Sequence, residues 1–366
     1  MGLDDIARLD AEHSFGPIEQ FMTDPFVSEI MINGPQKVFI EKHGKKQKTD
    51  VSFQSEDDVM KLVEAVYKVR GKRVGQDIPY ADVCLADGTR INVIIWPVSR
   101  FGLSVTIRKF SQDIQTLEDL IKLETLHEKA AELLIAAVKG KINIVFSGGT
   151  ATGKTTLLQV LSTFLDPYER VITIEDAAEL NIQRDNVISL ETKSPDEQGR
   201  GAVTLRDLLA NSLRMAPDRL IVGEVRGAEA VDLLQAMAVG HAGTLAVVHG
   251  SSPRDVLGRL ETMVLMSGIE LPIGEVRKLV CSTIQLIVHL ERMVDGSRKV
   301  TYISEVRGMD QGDYDLNDLF KFNFDRIDKT TGKVKGALRS SLRYYPAFFQ
   351  KLQKLGYLSD KVFVSG

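Results

Sequence analysis

Cysteine is nearly absent from this chain: Cys84 and Cys281 are the only two in 366 residues. They give neither a disulfide framework nor a zinc spacing, so a reducing compartment fits. Cys84 lies in an alternating run and Cys281 in an apolar helix-like run, and both are expected to be ordinary buried thiols. No uninterrupted apolar stretch approaches the roughly 20 residues a spanning helix needs. The first residues show no basic segment leading into an apolar core, so no signal peptide is expected. Any membrane role is therefore expected to run through partners or peripheral contact. Positive charge is not in excess either. A formal net charge of -4 argues against bulk attraction to nucleic acid or anionic lipid, though a local basic surface stays open. Internal repeats and low-complexity tracts are missing. What remains, 43% hydrophobic and 26% charged, is ordinary for a globular protein, and the length accommodates two domains.

Residues 1–110 read as a small mixed domain. Pro17–Met22 suggests a short helix, and Glu29–Ile32 a strand ended by the turn Asn33-Gly34-Pro35. Val38–Glu41 and Val51–Phe53 are expected to pair around a turn at His43-Gly44. Asp57–Val69 has helical spacing, with Val59, Leu62, Val63 and Val66 on one side. Ala81–Leu85, the Asp87-Gly88 turn and Arg90–Ile95 form a hairpin signal, and Leu103–Arg108 another strand. Residues 111–126 are polar, without glycine or proline, and read as an interdomain link in which Thr116-Leu-Glu-Asp119 caps a short helix. Residues 127–310 alternate helices with short β-rich runs at Ile142–Phe146, Val171–Ile174, Val187–Glu191, Leu220–Val222, Thr244–Val248 and Thr283–Leu290. That rhythm predicts an α/β domain with a central sheet. The tail, 311–366, turns basic and aromatic: from Phe320 onward it carries ten Lys or Arg against three Asp and no Glu. It reads as a helical appendage packing its aromatics on the preceding domain, or as a partner or membrane-surface contact.

The chemistry is concentrated at Gly148-Gly149-Thr150-Ala151-Thr152-Gly153-Lys154-Thr155. A short buried-strand pattern precedes it and a helical run follows, the context that a phosphate-binding P-loop requires. Its glycines let successive backbone N–H groups converge on phosphate oxygens, and the helix N-terminus adds a favourable dipole. Lys154 is expected to bridge the β and γ phosphates of ATP and the Thr155 hydroxyl to coordinate Mg²⁺, with Thr156 a further hydroxyl nearby. Ala151 fits unless its position needs a positive φ. Two apolar strands end in acids: Val171-Ile-Thr-Ile174 in Glu175 and Asp176, and Arg219-Leu-Ile-Val-Gly in Glu224. Strand-end carboxylates near a P-loop can divide the tasks of holding metal-bound water and accepting a proton. Each alone is a weak signal, because many strands end in Glu. His241 and His249 flank a strand-like run and are expected at its two ends; without a four-ligand set, zinc is poorly supported.

In order along the chain, Val27-Ser-Glu-Ile-Met-Ile-Asn-Gly-Pro35, Ala86-Asp-Gly-Thr-Arg90 and Ser104-Val-Thr-Ile-Arg108 precede the P-loop. After it come Glu175-Asp-Ala-Ala-Glu-Leu180, Leu213-Arg214-Met-Ala-Pro-Asp-Arg219, Gly223-Glu224-Val-Arg226 and Gly240-His241 through His249. This ordered set resembles the secretion-type traffic ATPases, specifically the CpaF/TadA branch of tight-adherence pilus assembly, related to the assembly ATPases of type II and type IV secretion. The resemblance implies a RecA-like C-terminal motor domain preceded by a small α+β, PAS-like N-terminal domain. It implies a cytoplasmic homo-hexamer that uses ATP and Mg²⁺ and works on an inner-membrane platform protein, with no transmembrane segment and no obligate nucleic acid.

The same resemblance gives residues their roles. Glu175 is expected as the general base or water-orienting carboxylate of an acidic box, and Glu224 as a Walker B acid supporting metal or water; which one activates water stays open. His249 matches a γ-phosphate or closure sensor, with His241 the first histidine of the same box. Arg90 and Arg108 match arginines of the N-terminal domain that approach nucleotide, and Arg214 and Arg226 match contacts to phosphate or a subunit edge; a structural salt bridge is the alternative for each. Ala151 stands where the family often has glycine and Thr152 where it often has serine. Cys84 and Lys193 stand where relatives often carry arginine, and Lys193 lacks the bidentate fork. Effector or DNA-linked cargo, and a nucleotide-gated scaffold with little turnover, are the competing readings.

Overall fold

The computed structural model describes residues 15–363 apart from 43, 70–72, 86, 110–113, 115, 194, 196 and 197. The chain divides into two units, Met1–Asp113 and Ile114–Gly366.

In the first unit, β-branched residues alternate in short runs and pair antiparallel. After α1 (Glu19–Thr23), β1 (Val27–Asn33) buries Val27, Ile30 and Ile32; a register shift between Val27 and Glu29 reconciles that spacing with one face. β2 (Val38–Lys42) turns back and pairs with β3 (Lys45–Lys48). The partner expected from sequence, Val51–Phe53, is irregular chain instead, and Phe53 drops into the core. The lysine-rich Lys45–Lys48 takes the edge because an exposed edge tolerates charge that a core strand does not. His43, half of the expected turn, lies outside the described residues. α2 (Glu56–Val69) buries Val59, Val63 and Val66 against the sheet, which β4 (Tyr80–Cys84), β5 (Arg90–Ile94) and β6 (Ser104–Arg108) complete. The order is β3-β2-β1-β6-β5-β4.

The second unit begins inside the segment expected to be a link. α3 (Leu117–Lys122) is capped as expected: Asp119 N–H donates to Thr116 Oγ1 at 3.2 Å and Thr116 N–H to Asp119 Oδ2 at 3.0 Å. Leu117, Leu120 and Leu126 are buried in this unit's core, so residues 116–126 belong to it rather than spacing it from a neighbour; 111–113 and 115 lie outside the described residues. Then follow α4 (Glu128–Lys139), β7 (Ile144–Gly148), α5 (Lys154–Ser162), β8 (Val171–Glu175), β9 (Val187–Glu191), α6 (Leu205–Ser212) and β10 (Arg219–Val225). α7 (Glu229–Ala238), β11 (Leu245–His249), α8 (Pro253–Leu265), α9 (Ile273–Thr283) and β12 (Leu286–Arg292) complete the alternating part.

The central strands are apolar on both faces because both are covered. Ile144 and Phe146 face α4 and α5, while Val145 faces the side of α6 to α9. The sheet does not stop near residue 310. β13 (Arg298–Asp310), β14 (Asp313–Ile327) and β15 (Val334–Ser340) extend it antiparallel, giving the order β15-β14-β13-β12-β7-β11-β10-β8-β9. The expected helical appendage is thus mostly strand, with only α10 (Phe349–Lys354) as α-helix among the described residues. Phe320, Phe322 and Phe324 recur every second residue, the period of a sheet face, and the first two pack on the core. Phe348, Phe349, Leu352 and Phe363 are buried on the same core, as the packing alternative for the tail anticipated. Cys84 and Cys281, expected buried, are half-buried and unbridged.

At the strand-start edge, polar side chains tie the parallel strands together. Asn143 Oδ1 accepts from Gly243 N–H at 2.8 Å and Thr244 N–H at 3.0 Å, while its Nδ2 donates to Thr283 O at 2.8 Å. Arg219 is 2 % exposed; it donates to Glu169 Oε2 at 2.9 Å, Gly243 O at 3.1 Å and Val138 O at 2.6 Å. Removing it takes one donor from each of these three acceptors and empties a buried volume, although Lys141 still serves Glu169 Oε1 at 2.9 Å and, through its N–H, Val138 O at 3.2 Å. Arg219→Ala is expected to lower the unfolding free energy by about 2–4 kcal/mol, read as a fall in the urea midpoint; a change below about 1 kcal/mol would show the network to be dispensable.

Candidate nucleotide site

β7 lies between β11 and β12, whereas the next strand in sequence, β8, is separated from it by β11 and β10. All of these neighbours run parallel, so their C-terminal ends share one edge, and the strand order switches direction there. The P-loop leaves β7 at that edge. Gly148 has φ +149, and a Cβ on it would sit 2.2 Å from Leu290 O of β12. Ala151 has φ +59, so its position does need a positive φ, and it meets that need without being glycine. Arg298 Nε donates to Ala151 O at 3.1 Å and Thr152 Oγ1 to Gly149 O at 3.0 Å. Gly153, at φ +93, caps the N-terminus of α5. Lys154 is 6 % exposed and donates to Gly149 O at 2.6 Å, closing the loop on itself. Thr155 Oγ1 donates to Glu179 Oε2 at 3.2 Å, and Thr156 follows in the same helical turn.

The two strand-end carboxylates come together at the same edge. Glu175, at the end of β8, is 3 % exposed and accepts from Glu179 N–H at 2.9 Å and Leu180 N–H at 3.1 Å. Its side chain crosses β10 at Gly223, where a Cβ would stand 2.6 Å from Glu175 Cγ. That approach explains why glycine precedes Glu224. Glu224 lies between Arg226 Nη2 at 2.5 Å and His249 Nε2 at 2.8 Å. Burial works against its charge, but the Arg226 hydrogen bond and the His249, Arg226 and Lys154 charges prevail and hold the carboxyl below its ordinary range. His249 ends β11 in register with Gly148. Burial and the nearby Lys154, Arg226 and Arg259 depress its imidazole despite Glu224. Arg226 also reaches toward Asp176, Nη1 to Oδ2 at 3.9 Å.

Two expected residues are not part of this constellation. His241 precedes β11, whose residue Leu245 pairs with Ile144 at the start of β7, so it lies at the opposite edge, its Nδ1 3.3 Å from Ala236 O. Arg214 precedes Arg219, the first residue of β10, and is exposed at that same far edge. Strand polarity alone separates both from the P-loop of their own chain. Arg90 and Arg108 belong to the first unit, where they stand directly opposite each other on β5 and β6, with Glu29 paired to Arg108 across β1. Arg108 Nε lies 3.8 Å from Glu29 Oε1.

Residues 11–323 match the family described as type II/IV secretion system protein. The chain belongs to this family. It is 31% identical to the type IV secretion system protein VirB11 of Bartonella quintana over 326 residues, covering 78% of this chain and 90% of that one. It is 30% identical over 304 residues to a Sinorhizobium fredii protein named "probable conjugal transfer protein TrbB", covering 81% and 88%. The X-ray structure of the Legionella pneumophila ATPase DotB has a TM-score of 0.54 and 22% identity, covering 78% and 79%, and shares the fold. The expected architecture is observed: a RecA-like mixed sheet in the C-terminal domain and a smaller, β-rich N-terminal domain.

In a secretion-family chain with these side chains, the arrangement fits a nucleoside triphosphate with Mg²⁺. The loop presents the turned N–H groups of a helix N-terminus to an anion, with Lys154 inside the turn. Among the described residues no cluster of three or more His, Cys, Asp or Glu could hold a metal by itself. Mg²⁺ needs none, because it is commonly held by one or two protein oxygens together with substrate phosphates. Thr155 and Glu179, with Glu175 beside them, offer that hard oxygen set.

Glu179, Arg298 and His289, none of them expected from the sequence, also border the loop. Glu179 was visible inside the acidic run; the other two carried no local signal. His289, 1 % exposed on β12, places Nδ1 2.7 Å from Ser147 Oγ directly beneath the loop. It borders a recess of about 670 Å³ together with Gly149, Thr150, His249 and Arg292. Burial pushes its pKa below the ordinary value. Below about pH 6.5 the unfolded chain takes up a proton that the folded one resists, so stability falls as pH drops from there through the depressed value. Urea midpoints measured from pH 8 to pH 5 are expected to decline over that window, and less steeply in His289→Gln. Equal slopes would remove His289 from the cause.

Proposed function

We propose that this chain is an ATP-hydrolysing motor subunit of a type II/IV secretion or conjugation machine. One observation carries the reading: Lys154, Thr155, Glu175, Glu224 and His249 meet at one sheet edge in a chain of the secretion family. Lys154 leaves its internal bond to Gly149 O for the β and γ phosphates, and the loop N–H groups hold the remaining oxygens. Thr155 and Glu179 would help hold Mg²⁺, which would supply charge neutralisation on the phosphates. Glu175, held by two backbone N–H groups, orients the attacking water and takes its proton. Glu224, fixed between Arg226 and His249, would serve as the Walker B acid that supports the metal or the attacking water. His249 changes partner from Glu224 to the γ-phosphate and so reports its presence.

A motor of this type works as a cytoplasmic homo-hexamer on an inner-membrane platform protein; among the described residues no helix is long and apolar enough to cross a membrane. The finer reading, tight-adherence pilus assembly, rests on motif order and uses the same chemistry on another cargo. The names of these relatives, type IV secretion and conjugal transfer, favour secretion or DNA-linked cargo. Loss of the gene separates them: missing secreted protein or conjugal transfer supports the first, missing pili alone the second.

Mg²⁺-dependent phosphate release from ATP by the purified chain is expected to fall to background in Lys154→Ala. In Glu175→Gln it should fall by about 10²–10⁴-fold, the range of general acid–base catalysis. A folded wild-type protein that binds ATP without releasing phosphate would make it a nucleotide-gated scaffold instead.

A further inference from the structure

The apex of the phosphate loop holds a residue in a conformation it does not favour. Ala151 sits at φ +59, where the Cβ of an L-residue crowds the following carbonyl, at a cost of roughly tenfold in population. A glycine would bear no such cost. The loop's own side-chain bonds, from Thr152 and Lys154, both end on Gly149 O, whereas the Ala151 carbonyl is held from outside the loop.

The side chain that holds it is Arg298, the first residue of β13. Its Nε–H donates to Ala151 O at 3.1 Å. Its Cδ would lie 3.4 Å from a Cβ on Gly153, so the arginine runs along the outside of the loop from the apex to the helix cap. In a trans peptide the C=O and the next N–H point in opposite directions. Drawing Ala151 O outward onto Arg298 therefore aims the Thr152 N–H inward, where a phosphate oxygen would accept it. The anchor is firm. Arg298 pairs in register with Arg292 of β12, and β12 itself pairs with β7, Leu290 opposite Gly148. One hairpin thus meets the loop at two points, its foot at Gly148 and its apex at Ala151.

We propose that Arg298 is a positioning residue for nucleotide: it holds the Ala151 apex in the anion-binding form, a task that a glycine at 151 would make largely unnecessary. The inference rests on the nucleotide reading of this site and adds to it a residue from outside the loop, the acidic box and the histidine box.

A double-mutant cycle on the full chain tests it, read as the Kd of a fluorescent ATP analogue with Mg²⁺. Arg298→Met is expected to weaken binding by about tenfold, the factor typical of losing a hydrogen bond to a charged donor. Ala151→Gly alone should stay within about threefold of wild type, because the strain it removes and the freedom it adds oppose each other. In the Ala151→Gly background, Arg298→Met should cost only about threefold or less. An equal loss in both backgrounds, or no loss in either, overturns the proposal, since an arginine that merely steadies β13 has no reason to depend on residue 151. Arg298→Lys, which keeps the charge but moves the donor, is carried through the same cycle, so a misfolded methionine variant does not end the test. A wild-type chain that binds no nucleotide would overturn the site reading and this proposal together. Wild-type binding in which the effect of replacing Arg298 is the same with alanine or glycine at position 151 overturns the brace alone.

Discussion

Everything at the candidate site depends on one close approach: Gly148 against the Leu290 carbonyl. A single methyl group there would sit 2.2 Å from that oxygen, so β7 and β12 can pair to their ends only because residue 148 has no side chain. The pairing fixes where the phosphate loop begins and places Ser147 over His289. It also brings Arg298, on the return strand, to the loop apex. On the other side, the pairing of β7 with β11 sets His249 beside Gly148. A second glycine does comparable work two strands away, where Gly223 lets the Glu175 side chain cross β10 beside Glu224. The site is a set of charged groups held by backbone contacts that tolerate no Cβ.

Much of this was readable in the residues because it is local. The P-loop declares itself by spacing, and Glu175 and Glu224 by apolar runs that end in an acid. The two histidines were correctly placed at opposite ends of a strand. Only His249 lies at the loop edge, because β11 runs parallel to β7, and polarity of that kind comes from the sheet and not from the run itself. Arg298 acts on a residue 147 positions away, at a distance where composition and periodicity carry no information.

The tail was misread for a different reason. Its basic charge drew attention from the period of two in Phe320, Phe322 and Phe324, and the helical expectation followed. The structure gives those rings a sheet face, with Phe322 lying over Gly336, where a Cβ would stand 2.6 Å from ring Cζ. The lysines and arginines of β14 and β15 then occupy exposed positions of an outer hairpin, an arrangement that also discourages edge-to-edge pairing. The misplaced Val51–Phe53 strand shares that cause: Lys45–Lys48 is too charged to resemble a strand, yet an edge accepts it.

The cross-links at the strand-start edge have a mechanical meaning. Asn143 fastens the entries to β7 and β11 and the end of α9, while Arg219 fastens β10 to the C-terminal end of α4. A sheet secured along one margin behaves as a cantilever: its fixed end resists opening, and compliance collects at the free end. Here the free end carries the turns that would meet phosphate. Amide exchange in such a body is expected to be slowest beside the cross-linked roots and faster in the turns at the tips.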